Sequence, residues 1–190
     1  MDALTLLKAD HQAVKDKFAK FESLGPRARK AKAAIVADVV RALSVHAAIE
    51  EDLLYPAARA RLAKEDPQVL EALEEHHVMK WTLSELDEMT PEMDRFDAKF
   101  TVLMEMVRHH VKEEEGELFP KLRKNFTRAE LSELGDALAR AKQTAPKKPH
   151  PRSPDTPPMN VVAAAITNPI DSVRDLGEQA VRKIRSAASR

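Results

Sequence analysis

Two segments 64 positions apart nearly repeat each other. His46, Glu50, Glu51, Leu54, Tyr55 and Pro56 recur as His110, Glu114, Glu115, Leu118, Phe119 and Pro120. A His and a Glu four residues apart share one face of a helix. The apolar residues around both pairs (Val39, Leu43, Leu53 and Leu54; Leu103, Val107 and Leu118) turn that face inward. An ionised Glu buried beside a His is costly unless something compensates its charge, and a metal ion does so directly.

The repetition extends beyond these segments. Asp10 and His11 are answered by Glu75 and His76, 65 positions on, and Lys15 and Lys80 each follow their His by four. The chain therefore reads as two helix pairs related by a pseudo-twofold, each giving one lone His and one His-x-x-x-Glu. The first helix is expected from Asp2 to Leu24, ending at Gly25 and Pro26, with Leu4, Leu7, His11, Val14, Phe18 and Phe21 on one stripe. The second is expected from Arg29 to Leu62, bent by Pro56. Asp66 as cap and Pro67 at the first position open a third helix to Met89. After Thr90 and Pro91 a fourth runs from Asp94 to Lys124. Thr127 and Glu130 form a capping box for a short fifth helix ending near Ala141.

Four long helices with short connections predict an all-α, antiparallel up-down four-helix bundle carrying a short fifth helix and a Pro-rich tail. Only four Gly and 4% aromatic residues agree with that class. The expected organisation is a bundle at 1–142, a stiff linker at 143–160 with six Pro, and a tail at 161–190. The tail has helical spacing of Ile166, Ile170, Val173 and Ile184, weakened by Pro169 and Gly177. The bundle carries 23 Lys and Arg against 27 Asp and Glu; the remaining residues carry 8 against 4. The tail thus reads as an extension or as a helix docking on an unknown partner, without the Trp and Phe anchors of a membrane-surface helix.

Charge balance gives no sign of nucleic-acid binding. The absence of Cys excludes disulfides, thiolate metal sites and iron–sulfur clusters, so any metal is held by nitrogen and oxygen. No leader and no membrane-spanning stretch is recognisable, and a cytoplasmic location is expected. Hydrolase triads, phosphate-cradling Gly loops and His-Glu-x-x-His helices are missing. One His per rod and two Glu at similar depth suit a dinuclear centre bridged by Glu50 and Glu114, with His11 and His46 on one metal and His76 and His110 on the other. Imidazole and carboxylate are compatible with iron, manganese or zinc.

The lone His residues, the doubled His-x-x-x-Glu-Glu segments and their spacing resemble the bacterial hemerythrin-like family of HHE cation-binding domains, over about residues 4–142. The resemblance implies a non-heme diiron site, two iron ions joined by an oxo or hydroxo bridge, in a four-helix core. It implies as ligands His11, His46, Glu50, His76, His110 and Glu114. The partner implied is dioxygen or a related small molecule, peroxide or nitric oxide, with the protein a sensor, store or scavenger. A diiron peroxidase or catalase-like enzyme, or iron sensing and storage, is the alternative. One departure matters: oxygen-carrying hemerythrins have a further His where this chain has Lys80. Related iron–sulfur-repair proteins carry a Cys-bearing segment that this chain lacks.

Neighbouring residues receive plainer expectations. His77 and His109 point about 100° away from the ligand face. Glu51 and Glu115 are read as salt bridges to neighbouring helices ahead of partners for a His N–H, and Asp10 and Glu75 as solvated. Tyr55 has Phe119 as its twin, so no ligand role is shared. Trp81 and the seven Met are read as core fillers.

Overall fold

The computed structural model describes residues 1–62 and 67–152. All regular elements among them are helical. Helix α1 spans Ala3–Glu22, α2 spans Arg29–Ile49, and a π-helical turn at Glu50–Leu54 leads into α3 at Tyr55–Arg61. Helix α4 spans Pro67–Glu88 and α5 spans Phe96–Glu113. A second π turn at Glu114–Leu118 leads into α6 at Phe119–Asn125, and α7 spans Arg128–Thr144. Helices α2 and α3 form one continuous rod, as do α5 and α6. With α1 and α4 these make an antiparallel four-rod bundle, and α7 lies against α1, α2 and the first π turn.

Local chemistry sets the ends. The Asp2 carboxylate accepts from the Thr5 N–H at 2.9 Å and starts α1. The chain leaves α1 at Glu22, two residues before the expected Leu24, because Ser23 caps the last turn ahead of Gly25 and Pro26. Thr90 and Pro91 lead into a turn, and α5 begins at Phe96, two residues past the expected Asp94. The capping box is present, with the Thr127 hydroxyl accepting from Glu130 N at 3.2 Å and Thr127 N donating to Glu130 Oε2 at 2.8 Å. It carries α7 to Thr144, three residues past Ala141. The expected cap Asp66 and the expected tail at 161–190 lie outside the described residues, as do residues 153–160 of the Pro-rich segment.

The bend expected at Pro56 takes a specific form. Proline lacks an N–H and its ring collides with the carbonyl four residues back in an α-helix. The chain widens by one residue just before it, so that the N–H of Tyr55 reaches the carbonyl of Glu50. The same happens before Pro120, where the N–H of Phe119 reaches the carbonyl of Glu114. Both π turns thus begin at the Glu of the repeat, as such turns often do at functional positions.

Two apolar clusters hold the rods together. One contains Leu4, Leu7, Ile49, Leu54, Leu118, Phe119, Leu134 and Leu138, closed over by α7. The other contains Val14, Phe18, Val39, Leu83, Phe100, Leu103 and Val107. Between them lies a layer of buried polar residues: His11, His46, Glu50, His76, His110 and Glu114. Met79 and Met104 are core residues, but Trp81 is 43% exposed on the outer face of α4 and fills no core, contrary to expectation. Its position follows from helical phase: it is one residue past Lys80 and two past Met79, both of which face in.

Gly135 lets α7 approach the N-terminus. A Cβ there would stand 2.2 Å from Met1 O and 2.7 Å from Ala3 N, both backbone atoms. Gly135→Ala is expected to cost about 1–3 kcal/mol through overpacking, read as a lower thermal midpoint. An unchanged midpoint would show that α7 is not seated against α1 in this way.

Candidate metal centre

Each rod delivers its polar side chain from a helix interior rather than from a loop, so the layer is rigidly placed. His11 comes from α1, His46 from the end of α2, His76 from α4 and His110 from the end of α5. Glu50 and Glu114 open the two π turns. All six sequence-expected residues converge. His11 Nε2 lies 3.0 Å from His46 Nε2, and His76 Nε2 lies 3.3 Å from His110 Nε2. Glu50 Oε2 is 3.1 Å from His46 Nε2 and 3.5 Å from His76 Nε2. Glu114 Oε2 is 3.3 Å from His11 Nε2 and 3.9 Å from His110 Nε2. Each carboxylate therefore spans between the two His pairs.

The outer nitrogens reveal the protonation of the rings. His11 Nδ1 donates to Glu115 Oε1 at 2.9 Å, His76 Nδ1 to Glu51 Oε1 at 3.1 Å, and His110 Nδ1 to Glu75 Oε2 at 2.7 Å. An ionised carboxylate only accepts, so each of these Nδ1 atoms carries a proton. In the neutral ring Nε2 is then a lone pair aimed inward. His46 Nδ1 lies 3.8 Å from Asp10 Oδ2, too far for a direct hydrogen bond. Lone pairs face one another at His76 and His110, and a lone pair faces a carboxylate at His11 and Glu114. Each contact demands a proton or a cation between the atoms.

The electrostatics agree. Burial drives the Glu50 carboxyl well above the usual carboxylate range, reinforced by the charge of Glu114. Its side chain is 0% exposed, and neither oxygen has a hydrogen-bond donor. Burial also acts on Glu114, but the His11 hydrogen bond and the His110 charge outweigh it and hold that carboxyl low. Burial pushes His76 well below the ordinary imidazole value. At His110 burial is overcome by the Glu75 hydrogen bond and the charge of Glu114, so its value rises. A set of four nitrogens and two carboxylates with unsatisfied buried oxygens fits a pair of first-row cations by the chemistry of its donors.

The residues given plainer roles prove closely involved. Glu51 and Glu115 fix imidazoles and also make salt bridges: Glu51 Oε2 accepts from Lys80 Nζ at 2.9 Å, and Lys15 Nζ is 3.5 Å from Glu115 Oε1. The paired Lys four residues after each lone His carried this signal in the sequence. Glu75 is a partner of His110 rather than a solvated group, and Asp10 is ion-paired to Lys142 of α7. Tyr55 was missed. Its hydroxyl lies 3.2 Å from His76 Nε2 and 3.4 Å from Glu114 Oε1, while its twin Phe119 stacks on His11 at 6.0 Å between ring centroids. Burial first, then the nearby carboxylates, raise the Tyr55 phenol far above its usual value, so it keeps its proton. His77 is half-buried and His109 exposed, both outside the layer.

A four-rod bundle with a His and Glu layer at mid-depth defines a cation-binding helical bundle. The sequence matches the hemerythrin HHE cation-binding domain family over residues 2–122, and the chain belongs to that family. It is 30% identical over 138 residues to an uncharacterized hemerythrin-like protein of Schizosaccharomyces pombe, covering 72% of this chain and 68% of that one. It is 29% identical over 104 residues to a DNA nickase of a Nostoc species, covering 55% of this chain but only 29% of the nickase. The fold is similar to a crystal structure of a hemerythrin HHE cation-binding domain-containing protein from Mycobacterium kansasii, with a TM-score of 0.64. That likeness has 22% sequence identity and covers 93% of this chain and 99% of the other.

A pH signature follows from Glu50. Its folded value lies above its unfolded value near 4.5, so the metal-free fold loses stability as pH rises through that interval. In chelator, Glu50→Gln is expected to melt a few degrees above wild type at pH 8, with the gap closing toward pH 4.5. A gap independent of pH would contradict the buried ionised carboxylate.

Proposed function

We propose that this chain is a non-heme diiron protein that binds or reacts with oxygen, peroxide or nitric oxide, as a sensor, store or scavenger. The carrying observation is the inward aim of the imidazole Nε2 lone pairs toward two buried carboxylates, three of the four rings being fixed by carboxylates behind them. In this reading His11, His46, Glu50, His76, His110 and Glu114 are the ligands. The donors divide unequally: His11, His46, Glu50 and Glu114 form one group, and Glu50, His76 and His110 the other. Glu114 reaches the second position less closely, at 3.9 Å from His110 Nε2, which in this reading leaves an opening there for a small molecule. Iron held there would supply electrons and a vacant coordination position.

The chain's own residues do the rest. Glu115, Glu51 and Glu75 hold three rings in one tautomer, which sharpens their donor strength. On the histidine side of the layer a cavity of about 10 Å³, bordered by Val14, Leu43, Met79, Val107 and Val111, has the room of a water-sized guest. Its apolar wall excludes bulk water and limits stray proton transfer. On the carboxylate side the Tyr55 hydroxyl can share its proton with Glu114 or His76. That hydroxyl favours a second reading, peroxidase- or catalase-like turnover, in which Tyr55 serves as a proton donor. Lys80 is held by Glu51 and lends no donor to the layer. Among the described residues no helix is long and apolar enough to cross a membrane.

Elemental analysis of protein produced with added iron is expected to find two irons per chain. Glu50→Ala and Glu114→Ala should lose most of that metal and His77→Ala little. Equal loss in all three would undo the ligand assignment. Tyr55→Phe should retain both irons. If turnover is the function, it should slow peroxide consumption about 100-fold; wild-type rates in that variant would leave gas or oxidant binding as the better account.

A further inference from the structure

The two halves of the repeat differ most at positions flanking the layer. The residues before His46 and three after it are Val45 and Ile49, both buried and apolar. Their counterparts around His110 are His109 and Glu113. His109 projects from α5 with 57% of its side chain exposed. Its Nε2 lies 3.4 Å from Glu113 Oε1, one turn along, and 3.4 Å from Glu75 Oε1 on α4. Bonds of about 2.1 Å at tetrahedral angles set donor atoms about 3.4 Å apart, the spacing His109 keeps to each carboxylate, and the three donor atoms lie within 4.8 Å of one another. Glu75 faces two ways: Oε1 toward His109, and Oε2 toward the buried His110 Nδ1 at 2.7 Å.

Beneath the trio a crevice with about 20 Å³ of room runs from Glu75 and Glu113 down to His110 and Glu114, walled by Ala72 and Leu118. That is enough for one water-sized occupant. The equivalent approach in the other half is shut. There Asp10 is ion-paired to Lys142, and α7 covers α1, α2 and the first π turn.

We infer that Glu75, His109 and Glu113 form a surface site for a divalent first-row cation, and that the crevice below is the route by which the buried centre is loaded. The inference rests on the metal-centre reading above for its destination. The two carboxylates raise the local cation concentration, His109 adds a nitrogen donor, and Glu75 links the outer site to the inner one. Arrival through this acidic mouth is attractive to cations and screened by salt.

The test mixes metal-free, full-length protein anaerobically with Co(II), whose visible bands report nitrogen and oxygen coordination, and follows filling in time. Glu75 is left intact because it also holds His110. The double variant His109→Ala with Glu113→Gln is expected to fill the buried centre about tenfold more slowly than wild type, to the same final stoichiometry. It should lose one weakly held equivalent in equilibrium titration, and its rate should depend less on ionic strength. A control, Glu22→Gln with Glu85→Gln, removes two carboxylates ion-paired elsewhere on the surface and should load like wild type. Loading of the His109 and Glu113 variant at the wild-type rate, or equal slowing in the control, overturns the route while leaving the buried centre intact. Wild-type protein that takes up no cobalt overturns the metal-centre reading, and this inference with it.

Discussion

Two carboxylates and four imidazoles enclosed between two apolar clusters are the constraint on which this molecule turns. Enclosed charges are stabilised only when partnered, and removing one partner from such a group leaves the other exposed to the full desolvation penalty. Glu50 shows the problem most sharply, with both oxygens buried and undonated. The apolar clusters above and below supply the cohesion that tolerates the layer. A cation entering the layer would satisfy the carboxylates and lone pairs together, so metal binding and folding stability are linked.

The layer works only because a second ring of charges fixes it from behind. Three carboxylates each hold one imidazole by its outer nitrogen, and lysines hold two of those carboxylates, Lys80 from within the fold and Lys15 from the surface. The chains of partners run from Lys80 to Glu51 to His76, and from Lys15 to Glu115 to His11. Charge alternates along each chain, which lets negative groups approach the centre without leaving it unbalanced. This is why the pseudo-twofold extends to Lys15 and Lys80, positions that touch no ligand atom. It also explains how Lys80 can stand where oxygen-carrying hemerythrins have a further His without disturbing the layer.

Much of this was legible because helical spacing translates directly into faces. His46 with Glu50 and His110 with Glu114 had to share a surface, and the apolar residues around them had to turn that surface inward. What spacing cannot supply is which neighbour a residue meets across the bundle. Glu51 and Glu115 were readable as carboxylates for a salt bridge or a His N–H, but not as partners of His76 and His11 in particular, because those contacts cross 25 and 104 positions. The π turns were hidden for another reason. A Pro announces that the α-helical ladder must break, but a kink and a one-residue widening look alike in sequence. The widening adds a residue to the turn between Glu50 and Tyr55, and Tyr55 meets Glu114 and His76, a contact the helix periodicity did not reveal. Trp81 was misjudged on residue type alone; its phase beside Met79 and Lys80 places it outside.

The departures from symmetry carry more functional meaning than the symmetry itself. A repeat that only built a bundle would have no reason to exchange Tyr55 for Phe119, Val45 for His109 or Ile49 for Glu113. Each exchange falls on the layer or beside it. Tyr55 places a hydroxyl at His76 and Glu114, while Phe119 places an apolar ring against His11. His109 and Glu113 put polar groups at the mouth of one approach, while Val45, Ile49 and the overlying α7 seal the other. The approach beside α1 and α2 is therefore closed over by α7, and in the proposed reading the approach beside α4 and α5 is the accessible one. A symmetric scaffold holds the charges at fixed depth, and the differences between its halves decide from which side the centre is reached.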